Sequence, residues 1–210
     1  GYNAWENIWG IWNQFTPRNA EVLRRIATIY RAFPELVVSL DWAPYQPCLQ
    51  RGVFASRFPG ADRTLWTLIN RHEYPIDGEQ LALPHVDGTR YYDLWRGQPI
   101  APRVIDGEAV IELPLEGRGF GALLALAPGA DTEGLDATLA TLAAQARTPI
   151  GAHSAAWQPL PQAIVDVALT TPQAAAPEGM VTIPGGEFLF RVGGVEIEGF
   201  DWAGLDVQYP

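Results

Sequence analysis

Three Asp-Gly dipeptides, Asp77-Gly78, Asp87-Gly88 and Asp106-Gly107, fall close together in the middle of the chain. Each is set among short apolar runs. A type I′ turn needs positive φ at both central residues, and Asp-Gly supplies it at low steric cost. The last dipeptide has RVI on one side and EAVIELPL on the other. GVFASRF and TLWTLINR precede the series, and GFGALLALA closes it as a buried strand. Aromatic and β-branched residues in runs of this length read as strands. Roughly six or seven of them between residues 51 and 127 predict an antiparallel β-sandwich.

Composition permits such a body. The chain has 210 residues, 48% of them apolar and 18% charged, so it can bury a core. Its net charge is -10, and all 14 basic residues are scattered arginines, which excludes an electrostatic footprint for nucleic acid. Cys48 is the single cysteine and forms no intrachain disulfide, so the compartment is unreadable. His72, His85 and His153 are far apart and match no metal-ligand spacing. No apolar run is long enough to span a membrane. No cofactor is called for.

Helical patterns flank the sandwich. Thr16 is a good N-cap, and Pro17 suits the first helical position. Val22, Leu23, Ile26, Ile29, Tyr30 and Phe33 then form an apolar stripe, with Arg24, Arg25 and Arg31 largely outside it. Pro34 ends that helix. A second is expected over 131–147, capped by Asp131 or Thr132, with Leu135, Leu139, Leu142 and Ala146 on one face. Next comes a Pro- and Ala-rich tether, looser from about 171 to 179. At 180–198, MVTIPGGEFLFRVGGVEIE reads as two strands around a Pro-Gly-Gly turn. The overall expectation is a mainly β (α+β) chain. An antiparallel sandwich at 51–127 is flanked by two helices, and a truncated β-hairpin start of a further domain occupies 180–210. About thirty residues bury no core of their own, so the chain reads as a piece of a longer protein whose other domains are its neighbours.

Two aromatic sets point to carbohydrate. Trp5, Trp9 and Trp12 surround Glu6, and flat rings stack on pyranoses while a carboxyl handles protons. Packing against the adjoining helix explains the same spacing. Trp66 and Trp95, with Tyr91 and Tyr92, offer a platform on the sandwich; core packing is the alternative. Asp77, Glu79, Asp87, Asp93, Asp106 and Glu108 include turn residues and no EF-hand loop, so no metal site is assigned. Gly117-Arg118-Gly119-Phe120-Gly121 reads as a bulged strand entry, because the glycine fingerprint is incomplete and Pro128 interrupts the apolar run after it.

Two family resemblances are visible. ENIWGIWN, continued by TPRNAEVLRRIATIYRAF, resembles the last strand, loop and helix of a (β/α)₈ barrel, over residues 1–35. With GVFASRF, YYDLWRG and GFGALLALA it resembles the end of a glycoside-hydrolase-like protein and its C-terminal sandwich. That resemblance implies that Glu6 lies on the active face of the barrel, with a second carboxylate upstream of Gly1. MVTIPGGEF is similar to the opening of the formylglycine-generating-enzyme (sulfatase-modifying-factor) family. Met180, Val181, Ile183, Pro184, Gly185, Gly186 and Phe188 match, and Phe190-Arg191 departs from the usual Met-Gly. None of that family's catalytic residues maps onto this chain. Residues 128–179 then serve as helix and linker between the two. The chain is expected to be a non-catalytic portion of a formylglycine-generating-enzyme-like protein, or else the accessory sandwich of a glycoside-hydrolase-like enzyme that binds glycan.

Overall fold

The Asp106-Gly107 pair makes the turn its sequence demands. φ is +50° at Asp106 and +81° at Gly107. Strands β7 (Arg103–Ile105) and β8 (Glu108–Glu112) close on it, with Ile105 opposite Glu108. The computed structural model describes residues 15–158, 163–189, 195–197 and 206–208. It divides into two units, 1–161 and 162–210.

In the first unit the other strands are β1 (Ala43–Gln46), β2 (Val53–Pro59), β3 (Arg63–Asn70), β4 (Glu79–Pro84), β5 (Arg90–Asp93), β6 (Gln98–Ile100) and β9 (Phe120–Leu126). Six form one antiparallel sheet in the order β1-β2-β3-β9-β5-β6, and three form a second in the order β4-β8-β7. The two remaining Asp-Gly dipeptides do not close hairpins. Gly78 and Gly88 have positive φ but Asp77 and Asp87 do not. Asp87-Gly88 carries the chain from β4 in the small sheet to β5 in the large one.

The helices lie on the other face of the large sheet. They are α1 (Pro17–Ala32), the single turn α2 (Pro34–Val37), α3 (Leu135–Ala146) and a 3₁₀ turn at Ile150–Ala152. Two cores result, one on each face of the large sheet. Ile29, Phe33, Leu65, Leu124, Leu126 and Leu142 belong to the helix-side core. Leu68, Leu81, Ile111, Leu113 and Leu123 belong to the inter-sheet core. Successive residues of β9 alternate between the two, which is why its sequence is apolar without interruption. The fold is mainly β, a sandwich with a helical layer on one side.

Three local expectations are corrected. Arg25 is buried in the face of α1 rather than lying outside it. The second helix begins at Leu135, not 131, with Gly134 at the cap in the left-handed region, φ +73°. Asp131 instead accepts from the Glu133 backbone N–H at 2.9 Å, holding a turn ahead of the helix. β1 is unexpected from the sequence, because Pro44 and Pro47 argue against a strand there. It is an edge strand paired only with β2, where proline is tolerated.

In the second unit, residues 163–189 are exposed and form no helix or strand. Met180 to Phe188, expected to form paired strands, are among them. The antiparallel pair described in this unit lies further on, β10 (Val195–Ile197) with β11 (Asp206–Gln208), with Glu196 opposite Val207. No described helix is long and apolar enough to cross a membrane.

Candidate functional site

Trp66 stands on β3, and alternation along the strand turns it into the inter-sheet core, where only 8% of it is exposed. Tyr91 on β5 belongs to the same core. Near them is a cleft of about 200 Å³, lined also by Leu83, Pro84, Thr89 and Arg63. Burial pushes the Tyr91 phenol up from its ordinary value, a hydrogen bond with Thr89 notwithstanding. Its oxygen lies 3.1 Å from His85 Nδ1, and the His85 ring stacks at 6.0 Å. The Trp66 indole Nε1 is buried without a hydrogen-bond partner.

Trp95 lies on the opposite side of the large sheet. Its residue exposure is 3%, within the helix-side core. The Arg25 guanidinium sits 5.7 Å from the centroid of its ring, and Phe120 packs against it at 6.0 Å and 41°. Trp66 and Trp95 are therefore not brought together, and Tyr92 packs on the helix side while Tyr91 does not. Trp5, Glu6, Trp9 and Trp12 lie outside the described residues.

Carboxylates decide what chemistry the described residues can do. Asp93 is the one buried carboxylate among them. Burial raises its pKa, against the opposing pull of Arg96. Its oxygens accept from the Arg96 backbone N–H and from Arg96 Nη1, both at 3.1 Å. Glu116 accepts from the backbone N–H groups of Ile150 and Gly151 at 3.1 and 3.0 Å. Glu21 is held by Arg24 and Arg25; burial pushes its pKa up, but those two hydrogen bonds prevail and leave it lowered. Glu79 pairs with Arg103 and Glu73 with Arg118. The turn positions Asp77, Asp87, Asp106 and Glu108 are exposed. Among the described residues no three His, Cys, Asp or Glu side chains stand together. Burial pushes the Cys48 thiol up to about 11, so it is not a poised nucleophile. Among the described residues the hydroxyl–imidazole contact that stands out is Tyr91 with His85, and burial keeps that phenol protonated.

Sequence reasoning missed His85 as the partner of Tyr91. Both residues flank the Asp87-Gly88 crossover, and only the change of sheet folds one back on the other.

No family model matches the chain, and no curated protein matches it. Among solved structures the chain is similar to an Anoxybacillus α-amylase, at 16% identity over 52% of this chain and 23% of that one, with a TM-score of 0.36. It is similar to the Bacillus licheniformis trehalose-6-phosphate hydrolase, at 13% identity over 49% of this chain and 17% of that one, TM-score 0.32. A third is a GH30 endoxylanase from Clostridium papyrosolvens, at 12% identity over 49% of this chain and 28% of that one, TM-score 0.31. These similar structures are glycoside hydrolases, and the chain spans less than a third of the length of each. The likeness of residues 180–188 to the formylglycine-generating-enzyme family rests on those residues alone.

Proposed function

We propose that the β-sandwich at residues 51–127 is a non-catalytic accessory module of a glycoside-hydrolase-like enzyme, with carbohydrate as its partner. The resemblance of α1 and the strands to the end of such an enzyme supports the placement. The observation that carries the non-catalytic reading is the state of the carboxylates. Glycoside hydrolysis usually takes two carboxyl groups facing each other across a cleft. Here the one buried carboxylate among the described residues, Asp93, is taken up by Arg96, and Glu21 and Glu116 are committed to structural partners. The test is hydrolysis of aryl glucosides, galactosides, xylosides and rhamnosides by the 210-residue chain. No release above buffer is expected. Steady turnover that survives repurification would overturn it.

A second reading concerns the tail. MVTIPGGEF comes after an exposed Pro- and Ala-rich tether, and it supports a formylglycine-generating-enzyme-like domain opening at residue 180. The coding sequence after Pro210 tests this. Continuation into the remainder of that domain supports it, and an unrelated sequence there removes it.

A further inference from the structure

We infer that the loop Arg71–Ile76 and the turn Gln50–Gly52 together form a sugar-binding site, apart from the cleft beside Trp66, with Tyr74 as its stacking ring. Carbohydrate as the ligand class rests on the accessory-domain reading above. The site itself rests on geometry. Tyr74 is 59% exposed, yet it is held in place. Its ring stacks on His72 with centroids 4.6 Å apart and planes 21° from parallel. His72 is fixed in turn by a 2.8 Å contact between Nε2 and the Arg51 carbonyl.

Asn70, 1% exposed, sets the loop from beneath. Its side-chain amide donates to the Tyr74 carbonyl at 2.9 Å and to the Glu116 carbonyl at 3.0 Å. Its Oδ1 accepts from the His72 backbone N–H at 2.9 Å. Two backbone bonds complete the frame: Arg71 N–H to the Gly52 carbonyl at 3.0 Å, and Arg118 N–H to the His72 carbonyl at 2.6 Å. An aromatic ring fixed this way loses little freedom on binding, which is what makes a stacking platform effective.

The hollow beside it, about 600 Å³, is lined by Gln50, Arg51, His72, Tyr74, Pro75 and Ile76. It joins an aromatic ring to the Gln50 amide, which both donates and accepts, and to the Arg51 donors. That set suits a pyranose: a ring face for stacking and hydroxyls for the polar groups. Nothing in the hollow resembles a catalytic pair, so the expected event is binding alone.

The experiment is native gel electrophoresis of the 210-residue chain in gels cast with a neutral β-glucan, a neutral α-glucan or a polyuronate. Tyr74→Ala and Tyr74→Phe are run beside the wild type. Thermal melting checks that both variants fold, as the exposure of Tyr74 leads one to expect. The site predicts that at least one polysaccharide retards the wild type. Tyr74→Phe keeps that retardation, and Tyr74→Ala weakens binding by about tenfold or more, the loss of one stacking contact. Retardation of Tyr74→Ala equal to wild type would overturn this site and leave the carbohydrate reading standing elsewhere on the sandwich. A wild type unretarded in every gel would overturn both.

Discussion

Arg25 is the residue on which the helical layer turns. Its Nε donates to Glu21 Oε1 at 2.7 Å, its Nη2 to the Thr148 carbonyl at 2.5 Å, and its guanidinium carbon lies over the Trp95 ring. One guanidinium thus ties α1 to the chain after α3 and to the segment after β5. Removing it leaves Glu21 with Arg24 alone and takes the side-chain donor from the Thr148 carbonyl. Arg25→Ala is expected to cost about 2 kcal/mol, from lost packing on Trp95 and two lost hydrogen bonds, read as a shift of the urea midpoint. A change within about 0.5 kcal/mol would show that Arg25 is a bystander. Its burial was hidden in the sequence. An arginine beside Arg24 on an amphipathic helix looks like part of the solvated face, and the carbonyl it serves is 123 positions away. Trp95 was legible as important for the same reason it was misleading. A large ring with a polar partner serves a core as well as it serves a sugar.

At the scale of elements, the turns divide into those that close a hairpin and those that carry the chain between layers. Gly107 and Gly52 both have φ of +81°, but their surroundings differ. A side chain on Gly107 would meet nothing within 4 Å. A Cβ on Gly52 would fall 2.2 Å from His72 Nε2. Gly107→Ala is therefore expected to cost about 1 kcal/mol, the backbone term alone. Gly52→Ala is expected to cost at least twice as much, because His72 must leave the Arg51 carbonyl. Chemical denaturation of the two variants measures both, and equal losses would contradict the packing of His72. The strands were largely legible. GVFASRF, TLWTLINR, EAVIELPL and GFGALLALA all correspond to strands, since apolar runs bounded by turn residues have few other uses. What the dipeptides did not reveal was the sheet to which each strand belongs. Asp87-Gly88 changes sheets and Asp106-Gly107 does not, yet locally they look alike.

At the scale of the molecule, the large sheet is the organising layer. It is covered by helices on one face and by a three-stranded sheet on the other, with a core against each. The buried face of α1, with Val22 and Ile29, contributes to the helix-side core along with Leu65 and Leu124. α1 is thereby a structural part of the sandwich. The helix itself was legible from its cap to Pro34, but the side on which it packs was not. An amphipathic stripe states that a face is buried and does not name the partner.

The most direct measurement is hydrogen exchange of the 210-residue chain, read by mass spectrometry under native conditions. Shared packing makes α1 and the central strands β3 and β9 open together, so their most protected amides exchange at similar free energies. Residues 163–189, exposed and without regular structure, exchange at once. Free exchange throughout α1 beside a fully protected β3 and β9 would contradict the shared core.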